Sequence, residues 1–386
     1  TYSYGLLTAS RIDPSSATAY TFTLDKFGRE VGMVDPIHGS GSPWTTAYAA
    51  DGRPTTLQAP NGNVAAYTYD SAGRLLTMNT TGTGSVSRAA YTYASNAAGQ
   101  RLSENSQISG DSANGTATFA YDPVGRLATY GGVSGIATQG YTWDKVPNRL
   151  TKTIGSTTLT TSFDLANRPA SDSNGTYAVD ADGRVTSRPL TPTTNETFAY
   201  DSLGRLSAAT IGGVSTNYTY DPLDRLVTST RGSTISKLRF VGTTATIAQA
   251  RDGSNVVQYN LATGLGGDAR FDFSGGGVSQ RYYGTNAHHD VTWTADASGA
   301  VIATERYDPY GLGLLTSGAS VPDLRFQSSW FDSNTGLSWA TNRWYAPDLG
   351  TFTSEDSNLG EPTDPESRQL YAYGAGDPIG RADPSG

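Results

Sequence analysis

The sequence predicts an all-β protein of serial β-hairpins, and three observations support this. The phrase YTYDSAGRL, at residues 67–75, returns in closely similar form at residues 119–127, 198–206 and 218–226. Tyr-x-Tyr places two aromatic side chains on one face of an extended segment, and Asp-x-x-Gly-Arg supplies the residues of a tight turn. The 45 glycines and 23 tyrosines accompany no long run of helix-forming residues. We therefore expect a long antiparallel sheet in which consecutive hairpins pair in sequence order.

The turn of each hairpin carries an acidic and a basic residue four positions apart. Seven copies share this spacing: Asp25/Arg29, Asp70/Arg74, Asp122/Arg126, Asp164/Arg168, Asp180/Arg184, Asp201/Arg205 and Asp221/Arg225. Exposed ion pairs of this kind are worth about 0–1 kcal/mol. A feature repeated at every copy rarely carries catalysis, so we expect solvated pairs that support the turns.

The chain divides into three segments by its motifs. Residues 1–230 carry the repeats, residues 231–300 continue as strands with degenerate turns, and residues 301–386 carry other motifs. The run His288-His289-Asp290 has the residue types of a metal site. However, adjacent residues of a strand point to opposite faces, and the chain has only three histidines. We expect no metal and no cofactor.

Composition narrows the classes of function. The net charge of −8 and the pI near 4.9 disfavour a nucleic-acid-binding surface. No apolar stretch is long enough for a membrane span, and no signal-peptide pattern opens the chain. The absence of cysteine excludes disulfides and thiolate metal ligands. The chain starts within the repeat pattern, so we expect a fragment of a longer polypeptide.

The later motifs resemble a known family. The repeats followed by TNAHHDVTWTADASGAV (residues 285–301) and ERYDPYG (residues 305–311) resemble the rearrangement-hotspot (Rhs) and YD-repeat family. Its members include bacterial polymorphic toxins, C subunits of Tc insecticidal toxins, and teneurins. Residues 326–356 and 370–386 resemble the Rhs-associated core domain, here assigned to residues 301–386. The resemblance implies a spiralling β-ribbon closed into a hollow shell or barrel, plugged by this core domain, in a secreted or cell-surface bacterial protein.

The length of the chain limits what such a shell can enclose. With roughly 25 to 30 strands at about 4.8 Å spacing, a ribbon closed in one turn has a diameter of about 40 Å. A folded domain of about 100 residues is roughly 33 Å across. The chain alone would barely hold a folded cargo, so it is part of a larger shell, holds an unfolded cargo, or encloses nothing.

The resemblance also implies a catalytic site. In family members that cleave themselves, an Arg and an Asp stand thirteen residues apart, and a second Asp lies in an Asp-Pro-x-Gly-Leu signature, with cleavage after the Leu. These match Arg343, Asp356 and Asp383. One carboxyl of such an aspartic pair stays protonated while the other acts as base, and the arginine is expected to hold one carboxylate bidentately. The C-terminal strand should thread back so that Gly386 lies beside the pair.

Two functions follow from these expectations. The first is an encapsulating shell that sequesters a C-terminal effector and releases it by cutting in cis. Its partners are that effector and a secretion-system or Tc-type subunit, and its enzymatic activity is at most a single-turnover self-cleavage. The second is a surface-displayed adhesion module without catalysis, which binds carbohydrate or a partner through exposed aromatic residues. Its candidates are Trp293, Trp330, Trp339 and Trp344, for which core packing is the favoured use.

Overall fold

The structure is a computed structural model that describes residues 7–11, 20–264, 267–274, 277–318, 323–361, 365–383 and 385–386. These residues form 34 β-strands and five short 3-10 helices, so the predicted all-β fold is confirmed. Among them, no helix is long and apolar enough to cross a membrane.

The strands form two large antiparallel sheets and one small sheet, each in strict sequence order. The first sheet holds sixteen strands: β1 (Leu7–Arg11), β2 (Tyr20–Leu24), β3 (Glu30–Val34), β4 (Trp44–Tyr48), β5 (Pro54–Gln58), β6 (Val64–Tyr69), β7 (Leu75–Gly82), β8 (Val86–Ser95), β9 (Arg101–Ile108), β10 (Gly115–Tyr121), β11 (Leu127–Gly131), β12 (Gln139–Trp143), β13 (Arg149–Ile154), β14 (Thr157–Phe163), β15 (Pro169–Asp172) and β16 (Gly175–Thr176).

The second sheet holds fourteen strands: β17 (Ala178–Val179), β18 (Val185–Thr191), β19 (Thr194–Tyr200), β20 (Leu206–Ile211), β21 (Val214–Tyr220), β22 (Leu226–Arg231), β23 (Thr234–Phe240), β24 (Ile247–Arg251), β25 (Val257–Gly264), β26 (Gly267–Ser274), β27 (Gly277–Thr285), β28 (Val291–Ala295), β29 (Val301–Tyr307) and β30 (Gly313–Gly318).

The small sheet lies in the C-terminal segment and holds β31 (Trp330–Asp332), β32 (Leu337–Ala340), β33 (Arg343–Ala346) and β34 (Thr351–Phe352). The 3-10 helices are Gly39–Gly41, Thr83–Ser85, Phe326–Ser328, Pro365–Arg368 and Gly374–Gly376.

The repeated motif forms one kind of turn, shown by the hairpin of β19 and β20. The Gly204 amide donates to the Asp201 carbonyl at 3.0 Å, and the Asp201 amide donates to the Arg205 carbonyl at 2.9 Å. The Asp201 carboxylate accepts the amides of Leu203 and Arg205 at 2.9 and 3.0 Å. Gly204 has φ +81°, and the pairing register shifts by one residue after Ala199. This geometry is a type I turn closed by a left-handed residue in a bulge.

The expectation of solvated Asp/Arg pairs is wrong. All seven pairs form with partly buried arginines. Six of these arginines also contact the next hairpin: Arg29, Arg74, Arg126, Arg184, Arg205 and Arg225. Arg205 binds Asp201 at 2.7 Å and Asp224 at 2.8 Å, and its guanidinium lies 4.8 Å from the ring centre of Tyr220. Its side chain is 22 % exposed. The arginine therefore links consecutive hairpins as well as bracing its own turn.

The second aromatic residue of the motif makes a matching link in the other direction. The hydroxyl of Tyr220 donates to the carbonyl of Leu206 at 2.7 Å, one hairpin earlier. Tyr69 and Tyr200 do the same at 2.9 Å towards Pro54 and Val185. Each of these three hairpins is thus joined to its predecessor by a side chain in addition to the strand ladder.

The two large sheets pack on each other through aromatic residues of their inner faces. Trp44 and Tyr91 of the first sheet share a buried cluster with Phe271, Tyr282 and Trp293 of the second. The hydroxyl of Tyr91 also bonds Thr292 across this interface at 2.6 Å.

The C-terminal segment packs against the second sheet in the same way. Trp330, Trp339 and Trp344 share a buried cluster with Tyr218 and Phe240. These three tryptophans and Trp293 are each at most 7 % exposed. The four tryptophans considered for sugar stacking therefore pack in the core, which is the use that the sequence analysis favoured.

Backbone contacts fix the C-terminal segment at the start of the second sheet. The Val185 amide donates to the Thr353 carbonyl at 2.9 Å, and the Glu355 amide donates to the Gly183 carbonyl at 3.2 Å. These bonds position the residues that follow β34.

Neither large sheet closes on itself among the described strands. The first runs from β1 to β16 and the second from β17 to β30, and no pairing joins the two ends of either order. The strand ladder is interrupted between β16 and β17. Closure into a complete shell is not made by strand pairing within this part of the chain.

Candidate active site

Three side chains converge at the C-terminal end of the small sheet, although they are far apart along the chain. Nη2 of Arg343 lies 2.7 Å from Oδ2 of Asp356 and 3.5 Å from Oδ2 of Asp383. Because the two Oδ2 atoms contact the same nitrogen, the distance between them is at most the sum of these two distances. The structure thus brings together the three residues predicted from the sequence; their catalytic roles stay a prediction.

Arg343 is held by the hairpin of β32 and β33 and is 6 % exposed. Its Nη1 donates to the Leu370 carbonyl at 2.6 Å, and its guanidinium lies 3.8 Å from the ring centre of Phe352. The expectation of a bidentate contact with one carboxylate is wrong: only Nη2 contacts the two aspartates, Nη1 donates to the Leu370 carbonyl, and Nε has no hydrogen-bond partner among the described residues. Burial lowers the pKa of Arg343, and the charges of Asp356 and Asp383 oppose that shift.

Asp356 is placed by the backbone that follows β34. Its amide donates to the Leu370 carbonyl at 3.0 Å, the same carbonyl that Arg343 binds. Its Oδ1 accepts the Asn358 amide at 2.8 Å, which leaves Oδ2 for Arg343. Its side chain is 32 % exposed, so the carboxylate remains open to solvent.

Asp383 is held by a segment without regular structure. The expected C-terminal strand is not formed by residues 381–383 and 385–386. Oδ1 of Asp383 accepts the Gly386 amide at 3.0 Å, and the Asp383 amide donates to Oε1 of Gln327 at 3.3 Å. The Asn342 amide donates to the Ser385 carbonyl at 3.0 Å, which ties this segment to the turn before Arg343.

Gly386 lies against the backbone of this turn. A Cβ at Gly386 would lie 2.3 Å from the Ala340 carbonyl oxygen and 2.8 Å from the Arg343 amide nitrogen, and φ is +79°. Only glycine fits such an approach without displacement of the backbone. Residue 386 is therefore fixed within reach of the three-residue cluster.

An open cleft of about 820 Å³ lies next to this cluster of three side chains. Arg343, Asp356 and Gly386 line it, together with charged residues of the repeat turns. Those charged residues are Asp182, Arg184, Arg205 and Asp224. Solvent and peptide thus have access to Asp356 and to residue 386 from the same side.

The run His288-His289-Asp290 is a degenerate hairpin turn and not a strand. Residues 286–290 connect β27 to β28, with His289 exposed and in the left-handed region at φ +63°. His288 and Asp290 are buried, and Nδ1 of His288 lies 3.0 Å from Oδ1 of Asp290. In the described part of the chain, no cluster of three or more His, Asp or Glu side chains could hold a metal ion.

Comparison with known proteins shows the family of this chain. Residues 93–379 match the family described as Teneurin YD-shell, and residues 48–86 match the RHS Repeat. The chain belongs to the teneurin YD-shell family. The Rhs and YD-repeat resemblance read from the sequence is thereby confirmed.

Curated relatives of this YD-shell chain are bacterial. It is 28 % identical to the tRNA3(Ser)-specific nuclease WapA of Bacillus spizizenii, over 64 % of this chain and 11 % of that protein. It is 25 % identical to the double-stranded DNA deaminase toxin A of Burkholderia cenocepacia, over 72 % of this chain and 21 % of that protein. The chain spans about a tenth to a fifth of the length of these relatives.

Solved structures share the YD-shell fold. A crystal structure of TcdB2-TccC3-Cdc42 matches with a TM-score of 0.75 at 17 % identity, over 96 % of this chain and 22 % of that chain. A structure of the Photorhabdus luminescens Tc holotoxin pore matches with the same TM-score and identity, over 96 % of this chain and 21 % of that chain.

Proposed function

We propose that this chain forms an encapsulating shell, or part of one, in a toxin-type protein, which holds a C-terminal effector and releases it by cutting itself. The family, and the functions of its relatives as a nuclease and a deaminase toxin, support a toxin-type shell. We further propose a secreted or cell-surface bacterial protein whose partners are that effector and a Tc-type or secretion-system subunit.

One observation supports the self-cleavage most directly. Arg343 binds Asp356 and Asp383 through one nitrogen, and Gly386 is bound to Asp383 and lies in the same cleft as Asp356. The peptide bond that follows Gly386 therefore lies close to both carboxyl groups. Covalent tethering gives such a bond a very high effective concentration.

The proposed chemistry is hydrolysis by two carboxyl groups. Ionised Asp356, held at 2.7 Å by Arg343, accepts a proton from a water molecule that attacks the scissile carbonyl. Protonated Asp383 donates its proton to the carbonyl oxygen as the tetrahedral intermediate forms. Collapse of the intermediate breaks the C–N bond: the proton now on Asp356 passes to the leaving amine, and one hydroxyl of the intermediate returns its proton to Asp383. The products are a new carboxyl terminus on the shell and a free amino terminus on the effector.

The test is a polypeptide that continues past Gly386 with its native sequence. We expect it to appear as two fragments during expression without added protease. Asp356→Asn and Asp383→Asn should each leave it intact, because an amide cannot exchange the proton. Arg343→Ala should slow the cutting, because it removes the side chain that holds both carboxyl groups.

Asp348→Asn is the matched control. Asp348 is another aspartate of the C-terminal segment that binds an arginine, with Oδ1 2.9 Å from Nη1 of Arg188, but it lies outside the cluster. This variant should cut like the wild type. If the wild type stays whole, or if both cluster variants still split at the same bond, the aspartic assignment is wrong and the shell is a passive container.

A further inference from the structure

A second polar cluster, outside the three residues described above, touches the backbone of the segment that carries Asp383. Nε2 of His288 lies 3.1 Å from the Arg381 carbonyl oxygen. Oε1 of Gln327 accepts the Asp383 amide at 3.3 Å, and Nε2 of Gln327 lies 2.9 Å from Nε2 of His288. The two side chains thus bind the backbone on both sides of Ala382.

We propose that His288 is a positioning residue for Asp383, and that its protonation decides whether the segment Arg381–Asp383 is held in the cutting position. This inference rests on the self-cleavage proposed above and adds its regulation.

The argument starts from the hydrogen-bond roles of the imidazole. Nδ1 faces a carboxylate oxygen of Asp290, which only accepts, so Nδ1 carries a proton in both charge states. Nε2 faces one acceptor and one donor, the Arg381 carbonyl and the Gln327 amide nitrogen. It can satisfy only one of them at a time.

The protonation state therefore selects the partner. A protonated His288 donates from Nε2 to the Arg381 carbonyl and holds the C-terminal segment. A neutral His288 accepts from Nε2 of Gln327, and its lone pair then faces the Arg381 carbonyl. Two acceptors in contact repel each other, so the contact with the Arg381 carbonyl is lost and the segment is held on one side of Ala382 only, by Gln327.

The surroundings of His288 keep this cluster rigid. Gln327 and Ser328 both have left-handed backbones, at φ +52° and +51°, a conformation that non-glycine residues adopt at a cost. Asp290 holds the first of them in place, because its Oδ1 accepts the Gln327 amide at 3.0 Å. His288 also packs on the ring of Phe326, with 5.1 Å between the ring centres.

Charged groups from several elements surround the imidazole. They are Asp290 in its own turn, Arg101 and Glu104 on β9, Arg306 on β29, and Asp377 and Arg381 in the C-terminal segment. Burial lowers the pKa of His288, but the charge and hydrogen bond of Asp290 outweigh it, so the pKa lies above the ordinary value. The protonated, holding state is therefore the one populated up to near-neutral pH.

The test measures the cutting rate of the extended polypeptide against pH. We expect the wild-type rate to fall as the pH rises through the pKa of His288. His288→Asn keeps a donor towards Asp290 but cannot reach Arg381, so its cutting should be about tenfold slower below that pKa. His288→Gln carries a permanent donor near the Nε2 position and should cut faster than the Asn variant. Both variants should lose the part of this fall that occurs at the pKa of His288.

His38 offers a matched control. Its Nδ1 lies 2.9 Å from Asp35 and its Nε2 lies 2.9 Å from Gln280, so it has the same kinds of partner in a separate cluster. His38→Asn should cut at the wild-type rate and keep the wild-type pH profile. An equal loss in His38→Asn, or a wild-type rate and profile in His288→Asn, overturns the proposal.

A second measurement separates this inference from the proposed function. In the chain ending at Gly386, backbone hydrogen exchange of residues 381–386 should be faster in His288→Asn than in the wild type, and unchanged in His38→Asn. Equal exchange in His288→Asn and wild type overturns the positioning role. Faster exchange together with an extended wild type that stays whole would contradict the self-cleavage and leave the contact of His288 with this segment standing.

Discussion

At the scale of single residues, the charged side chains of the repeat each make more than one contact. Asp201 caps the turn with one carboxylate oxygen and binds Arg205 with the other. Arg205 in turn reaches the next hairpin at Asp224 and Tyr220. A single substitution in the motif therefore perturbs two hairpins and not one.

The glycine of the turn is the first residue to test. Gly204 has φ +81°, a region that a β-branched side chain fits poorly, so Gly204→Val should lower the free energy of unfolding by about 1–3 kcal/mol. Gly204→Asn is the matched control, because Asn167 and Asp224 occupy the same turn position in other repeats at φ +62° and +60°. Gly204→Asn should lower the free energy of unfolding by clearly less than Gly204→Val. Equal losses in urea denaturation would mean that backbone conformation is not the cause.

The arginine of the motif gives the second prediction. Arg205→Ala should cost about 1–3 kcal/mol, more than an exposed ion pair, because it removes two carboxylate contacts and the stacking on Tyr220. Arg168→Ala removes a pair whose side chains are more exposed, at 33 % and 35 %, and should cost less. Urea denaturation measures both. A loss at Arg205 no greater than that at Arg168 would restore the interpretation of a solvated pair.

At the scale of elements, much of the hairpin was predictable because its determinants are local. Tyr-x-Tyr predicts the inward aromatic face, and Asp-x-x-Gly-Arg predicts a turn whose glycine is left-handed, as Gly204 is. The links between hairpins were not predictable in the same way. The bond from Tyr220 to Leu206 depends on how far two consecutive hairpins are staggered, which the motif does not specify.

These links give a prediction at the element scale. Tyr69→Phe removes one hydrogen bond to the preceding hairpin, at Pro54, and should cost about 1 kcal/mol. Tyr220→Phe should cost more, because the Tyr220 hydroxyl also accepts the Nε1 hydrogen of Trp344 at 2.8 Å, and that buried donor would lose its partner. Thermal or urea unfolding of the two variants measures the difference. If the two losses are equal, the contact with Trp344 contributes nothing to stability.

At the scale of the whole molecule, the site depends on contacts that sequence patterns do not encode. Arg343, Asp356 and Asp383 were found by resemblance, since spacing alone cannot select two aspartates from 35 acidic residues. The cluster of His288, Asp290 and Gln327 was missed, because it joins a hairpin turn to segments 39 and 93 residues away. The only available signal was the pair of polar residues in a degenerate turn, and that pair was interpreted as part of a strand.

The pair of His38 and Asp35 lies where the two large sheets meet, and it gives the last prediction. His38 and Asp35 join the first sheet to Gln280 and Tyr282 of the second. Burial lowers the pKa of His38, but the hydrogen bonds that it donates to Asp35 and Gln280 outweigh this effect, and the net pKa is raised. Burial raises the pKa of Asp35, but the contacts with His38 outweigh it, and the net pKa is lowered.

The signs of these shifts fix the pH dependence of stability. A raised histidine pKa contributes stability that is complete below about pH 6.5 and is lost as the pH rises through the folded-state pKa. A lowered aspartate pKa contributes stability that is present above about pH 4 and is lost as the pH falls through the folded-state pKa. His38→Asn should therefore reduce the free energy of unfolding most between these limits, and the gap to wild type should shrink at alkaline pH. Urea denaturation from pH 4 to 9 measures this gap. A gap that stays constant across the range would mean that His38 joins the two sheets by packing alone and not through its charge.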